Sequence, residues 1–330
     1  MKLFHYHRIT LLILCPAILT VVLIALGASF ALHRLYEGAD SDLDTQSVVR
    51  PFVGEIAEDH GLEDYTEPTS TQLTPTSTIL LTPPVKHLLG IARDPVPATS
   101  TEVGIRLPVL MYHHIEPIRA NMNARQKLFV VTPQAFLQQM QGLHDAGYTT
   151  VTPDDLAAAW ADGGAHLPAK PVMITFDDGF RDQYDNAVPV LKRFGMKGVF
   201  FVVTEATRLR GSMTDAMFKE LDRTGVGYIA SHTEHHAFLT KYSAAARWNE
   251  INGSKTHLEE LLGHPVTVFA YPYGSWNPTV VSELKKAGYT MAFGVRLGSL
   301  QYASMAFDLH RIRVLDRERV LDLVRAFGAK

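Results

Sequence analysis

The chain has 330 residues, of which 46% are hydrophobic and 20% charged, and a net charge of −3. Acids and bases are interspersed, so no basic stripe points to nucleic acid. The single cysteine, Cys15, excludes an internal disulfide framework, and stability has to come from a large core.

Composition is uneven along the chain. After Lys2 and Arg8, Ile9 to Leu32 runs for 24 residues without Asp, Glu, Lys or Arg, which is long enough to cross a membrane and longer than a signal-peptide core. The expectation is a cytoplasmic N-terminus over residues 1–8, a single transmembrane anchor over 9–32 and everything beyond it extracytoplasmic at the cell membrane. Cleavage after Ser29-Phe30-Ala31, with secretion, is the alternative. Residues 33–104 are acidic and then rich in Thr, Ser and Pro, as in Thr74-Pro75-Thr76-Ser77-Thr78. Such a stretch buries too little apolar surface to offset chain entropy and reads as a disordered linker, with a short helix around 84–92.

From residue 105 to 330 apolar runs alternate with amphipathic stretches, the pattern of repeated strand–helix units. Strands are predicted over 108–113, 148–151, 171–176, 198–203, 227–230, 266–271, 289–295 and 309–314. Helices are predicted from Pro133 after the cap Thr132, from Pro153 after Thr152, and over 181–194, 214–223, 243–262, 278–287 and 317–327. The fold class is α/β, an irregular or incomplete TIM-like barrel of parallel strands.

In such a barrel the chemistry sits where strands end. The apolar strand 171–176 ends in Asp177-Asp178-Gly179. Side chains alternate along a strand, so one carboxylate can face a metal while its neighbour faces a water or substrate. Taken alone, the pair reads more readily as a cap for the helix that follows. A second strand ends in Ser231-His232-Thr233-Glu234-His235-His236, where His232 and His236, four apart, are expected on one face of a helical turn as two ligands of one metal. One carboxylate with two imidazoles leaves coordination positions open, as in a catalytic zinc site. Tyr271-Pro272-Tyr273-Gly274 closes a third strand with turn residues. Its backbone N–H groups could bind an oxyanion and its rings could stack on a sugar. His113 and His114 end the first strand and come to the same rim.

Taken in order, Thr-Phe-Asp-Asp-Gly at 175–179, His-Thr-x-x-His at 232–236 and Tyr-Pro-Tyr-Gly at 271–274 resemble the successive motifs of the polysaccharide deacetylase family, the NodB-homology or carbohydrate esterase family 4 domain. The opening Leu-Met-Tyr-His-His-Ile is similar to the branch of poly-N-acetylglucosamine deacetylases. That resemblance implies hydrolytic N-deacetylation of an N-acetylated polysaccharide, whether poly-N-acetylglucosamine, a chitin-like oligomer or peptidoglycan. It implies Asp177 as general base, and Asp178, His232 and His236 as ligands of one divalent metal, zinc with cobalt or nickel as alternatives. It further implies the Tyr273 N–H at the oxyanion, with Tyr271, Pro272, Tyr273 and Gly274 at the substrate. The family's C-terminal Leu-x-His is not found here; the resemblance to the Tyr-His branch, where the general acid comes from the first strand, implies His113 in that role, with His114 and His310 behind it. Where many members carry an arginine to orient the base, this chain has Ala270; Arg311 or Arg313 is expected to supply the charge. An O-acetyl esterase, a non-haem iron oxygenase and a non-catalytic surface sugar-binding protein are the competing readings.

Overall fold

The computed structural model describes residues 102–328. The expected anchor at 9–32 and all but the last three residues of the expected linker at 33–104 lie outside them. Among the described residues no helix is long and apolar enough to cross a membrane.

Seven short parallel strands form a ring. They are β1 Val109–Tyr112, β2 Pro171–Phe176, β3 Gly198–Val202, β4 Gly227–Ser231, β5 Val268–Ala270, β6 Met291–Phe293 and β7 Ile312–Arg313. Their order across the sheet is β6-β5-β4-β3-β2-β1-β7, with Thr149–Thr150 pairing beside the start of β2. Leu309 N–H donates to the Ala292 carbonyl at 3.0 Å and Gly294 N–H to the Leu309 carbonyl at 2.9 Å, so the segment entering β7 meets β6 and the sheet curls into a barrel. Helices α1 Pro133–Asp145, α2 Pro153–Asp162, α3 Val188–Phe194, α4 Asp215–Thr224, α5 Ala244–Leu262, α6 Pro278–Ala287 and α7 Val320–Gly328 occupy the crossovers and the C-terminus. The Thr-Pro starts behave as expected. Thr132 and Thr152 each accept a backbone N–H from the third residue on, and Pro follows at the position where its missing donor costs nothing.

Strand pleating sorts the core into two buried clusters. Val109, Met173, Val199, Phe201, Val268, Ala270 and Phe293 face one way, into the barrel. Leu110, Tyr112, Val172, Ile174, Phe176, Phe200 and Val202 face the other, against the helices. Parity therefore fixes what happens at the strand ends: Met173, Thr175 and Asp177 share the interior face.

The predicted helix over 181–194 contains a π-turn at Gln183–Ala187 before α3 begins. Pro189 accounts for it, since its ring has no N–H to give the residue four back and would press on that carbonyl; a widened turn relieves both. Outside the expectations lie the small parallel pair His114–Ile115 with Val130–Val131 and the antiparallel pair Ile105–Arg106 with Leu300–Gln301. Each strand has two residues, too few for a periodic pattern to register.

Candidate active site

Asp177 and Asp178 leave β2 in different directions because the backbone changes hand between them. Asp177 continues the inward parity of Thr175, while Asp178 takes φ 73 and Gly179 φ 74, two consecutive left-handed residues. A side chain at 179 would be strained by that φ and would meet Phe218 Cζ at 2.9 Å. Asp178, which pays the left-handed cost without glycine's freedom, is thereby turned toward the end of β4.

There it meets two histidines. Asp178 Oδ1 lies 3.5 Å from His232 Nε2 and 3.3 Å from His236 Nε2, and all three side chains are buried. The segment carrying them is an irregular loop, which corrects the expected helical turn: Thr233 and His236 have φ 68 and 58, values no right-handed turn contains. The imidazoles still converge, with ring centroids 5.0 Å apart. Glu250 on α5 holds the loop. Its carboxylate accepts the N–H groups of Glu234 and His235 and bonds His235 Nδ1 at 2.9 Å, which is where His235, outside the metal set, is spent.

The donor set fits a divalent cation. His232 Nδ1 donates to the Ala270 carbonyl at 2.8 Å, so its Nε2 presents a lone pair toward Asp178. Both Asp178 oxygens are buried and accept no hydrogen bond. One ligand atom from each of Asp178, His232 and His236 falls within 4.8 Å of the others, and two nitrogens and one oxygen suit zinc. Burial and the neighbouring Asp177 charge push the Asp178 carboxyl up to about 7. Burial holds the His232 imidazole below its ordinary value, which favours the neutral, ligating form.

The sign of the resulting pH dependence follows from linkage. An acid whose folded pKa is raised from about 3.9 contributes stability at low pH that is lost as pH climbs toward the folded value of about 7. Without metal the head, the strand–helix region from residue 105 on, should weaken over that window, and zinc should restore what the proton supplied. We expect zinc to raise the melting temperature more at pH 8 than at pH 5. Equal shifts at the two pH values, or none, would count against these three ligands.

Arg311 enters from the segment leading into β7. Fully buried, its guanidinium donates from Nη1 to Asp177 Oδ1 at 2.6 Å and from Nη2 to Oδ2 at 2.9 Å. Nη1 also reaches Thr175 Oγ1 at 3.3 Å, and Nε donates to the Gly294 carbonyl at 2.8 Å. Burial pushes Asp177 up, but Arg311, with His113 and His232, more than offsets this and holds the carboxyl well below the usual range. His113 Nε2 stands 3.9 Å from Asp177 Oδ2, its ring edge-on to Phe129. Burial lowers its pKa far below the ordinary value against the pull of Asp177, with Arg313, Arg311 and His114 adding to the lowering, so the imidazole rests neutral. Arg313 lies over the Phe129 ring at 4.5 Å and makes no bond to Asp177.

The other predicted residues divide. The Tyr273 ring, half-buried, sits edge-on to His236 at 4.6 Å and stacks on Phe238 at 5.2 Å. Tyr271 is corrected: its ring is wholly buried, edge-on to Phe269 and stacked on Trp276, and its hydroxyl donates to the Phe307 carbonyl at 2.9 Å, so no sugar can stack on it. As the next inward residues of β5 are Val268 and Ala270, strand parity sends Tyr271 to the helix side. Pro272 is likewise buried. Gly274 serves the turn, at φ 68 with Val295 where a Cβ would stand. His114 stacks on Phe180 and bonds Asp182 at 2.7 Å, and His310 is buried with Nδ1 at the Leu300 carbonyl, so neither shares the Asp177 carboxylate with His113.

A family model described as polysaccharide deacetylase matches residues 164–292. The putative polysaccharide deacetylase YxkH of Bacillus subtilis is 32% identical over 65% of this chain and 73% of its own length. The poly-beta-1,6-N-acetyl-D-glucosamine N-deacetylase of Escherichia coli K12 is 28% identical over 62% of this chain, which spans only 36% of that protein. Among solved structures, the Streptococcus pyogenes deacetylase PplD in complex with acetate superposes with a TM-score of 0.63 at 28% identity, covering 69% of this chain and 99% of that one.

Proposed function

Given that the chain belongs to the polysaccharide deacetylase family, we propose that it is a metal-dependent N-deacetylase of poly-β-1,6-linked N-acetylglucosamine acting at the cell surface. The observation that carries this reading is the convergence of Asp178, His232 and His236 beside an Asp177 clamped at both oxygens by Arg311. A ligand cluster that only held structure would have no use for that second, separately held carboxylate. The E. coli relative's substrate supports the choice of polymer.

In this reading a divalent ion on Asp178, His232 and His236, zinc with cobalt or nickel as alternatives, supplies Lewis-acid polarisation of the acetamide carbonyl and lowers the pKa of a water toward ~7. Asp177 takes the proton of the attacking water, and Arg311 keeps the carboxylate ionised and aimed while it waits. The Tyr273 backbone, turned over at φ 59, offers its N–H to the oxyanion of the tetrahedral intermediate. His113 rests neutral, so its catalytic proton has to arrive during turnover. Across the 3.9 Å between Asp177 Oδ2 and His113 Nε2 the proton taken from the attacking water passes by one bridging water to His113, which gives it to the departing glucosamine nitrogen as the C–N bond breaks. Acetate and a free amine leave, and Asp177 and His113 return to their starting states. The half-exposed Tyr273–Phe238 pair offers the sugar an aromatic face beside His236.

The surface location rests on the apolar run 9–32, read as a single-pass anchor that leaves the head outside. Protease added to intact cells should remove the head and spare it only after topology inversion. The activity is tested by acetate release from β-1,6- and β-1,4-linked N-acetylglucosamine oligomers, peptidoglycan and acetylxylan by the zinc-loaded protein. Release from the β-1,6 series is expected. Release from acetylxylan alone would replace the amidase reading with an esterase, and silence on all four with zinc bound would end it.

A further inference from the structure

We propose that Gln183 is a positioning residue that holds His113 and Asp177 in register by giving one amide proton to the backbone of each. Its Nε2 donates to the His113 carbonyl at 2.8 Å and to the Asp177 carbonyl at 2.6 Å, and the side chain is wholly buried. Both neighbours are acceptors only, so the nitrogen end of the amide must face them, and its two N–H groups match the two carbonyls. The residues it joins sit at the ends of β1 and β2, adjacent strands whose ladder stops at Tyr112 and Phe176. Beyond that point one backbone bond, Asp177 N–H to the Tyr112 carbonyl at 3.0 Å, still links the two strands. The Gln183 amide is the next rung, made by a side chain where the sheet can no longer make one.

Its position in the chain depends on the π-turn. Gln183 opens the Gln183–Ala187 π-turn, and residues on either side of it bind the same loop: Asp182 accepts the Ile115 N–H at 2.7 Å and Asn186 donates to the Ile115 carbonyl at 2.7 Å. Those two contacts hold the loop at Ile115, two residues past His113, and touch neither His113 nor Asp177. Gln183 alone in this turn reaches both.

The inference rests on the deacetylase reading, and the experiment separates the two. The full chain, detergent-solubilised and zinc-loaded, is compared with Gln183→Met, which preserves length and apolar bulk but cannot donate, and with Asn186→Ala, which loosens the same loop elsewhere. Acetate release is measured as kcat and KM, together with zinc content and melting temperature. Gln183→Met should lower kcat by roughly tenfold to a hundredfold, as small misplacements of reacting groups do, with KM and zinc content near those of the unaltered protein; Asn186→Ala should keep kcat. Equal falls in both variants would make the π-turn a general strap and overturn the assignment, as would an unchanged kcat in Gln183→Met. Should that variant fail to fold, Gln183→Glu keeps the side chain's size while setting an acceptor against two carbonyls, and full kcat in it would be equally fatal. An unaltered protein that releases no acetate refutes the deacetylase reading instead.

Discussion

Replacing Asp177 by Asn should leave a protein that binds zinc and polymer but releases acetate about a hundredfold to ten-thousandfold more slowly, the range a positioned general base supplies. The separation of roles is what makes this expectation sharp. Asp177 is held by Arg311 through both oxygens, whereas the candidate metal ligands are Asp178, His232 and His236. Asparagine keeps the shape, still accepts one bond from Arg311 and gives up only the negative charge and the ability to take a proton. Asp178→Asn should do the opposite, losing zinc first and activity as a consequence. Zinc content measured beside kcat therefore distinguishes the two carboxylates. If Asp177→Asn lost the metal as readily as Asp178→Asn, or kept full turnover, the division of labour would be wrong. A stability penalty is expected as well, because the Arg311 charge is buried and loses its counterion, so the assay belongs well below the variant's melting temperature.

Much of the barrel was legible because a buried parallel strand writes itself as a continuous apolar run with a polar break at its end. Strand β2 over 171–176 has the predicted bounds, and β3 and β4 differ from theirs by one residue. The same breaks carried Asp177, Asp178 and His232, which is why a strand-end reading found them. What failed were inferences about direction. Spacing suggested a helical turn for His232 and His236, yet two positive-φ residues bring the rings together by another route. An aromatic-rich turn suggested a sugar platform, yet strand parity puts Tyr271 behind the sheet and only Tyr273 at the rim. Gln183 and Glu250 left no local signal. Each acts on backbone far from it, Gln183 on residue 113 and Glu250 on residues 234 and 235, and side chain-to-backbone bonds at such range have no pattern in one sequence. Arg311 is intermediate: Ala270 announced a missing charge, and only the closure of the barrel between β6 and β7 puts Arg311, held at the Gly294 carbonyl, where it meets Asp177.

Removing that arginine should have the second large effect, and it should appear in stability before it appears in rate. Breaking a buried ion pair by deleting one partner costs about 3–5 kcal/mol, because the charge left behind is neither solvated nor paired. Arg311→Met should therefore destabilise the zinc-free head by that order, read by chemical denaturation at neutral pH. Burial, the largest influence on Asp177 and an upward one, would then have lost its main opponent, so the Asp177 pKa should rise. The acidic limb of the kcat profile should move to higher pH in step, since Asp177 must be ionised to accept a proton. Arg311→Lys should fall between the two, keeping the charge but lacking the fork that engages Oδ1 and Oδ2 together. The double variant Asp177→Asn with Arg311→Met decides the cause. If an orphaned buried charge is responsible, the double variant should be more stable than Arg311→Met alone, because no ion remains to be left unpaired. Additive losses would instead assign the damage to packing around Thr175 and Gly294, and an unchanged pH profile would remove Arg311 from the control of Asp177 altogether.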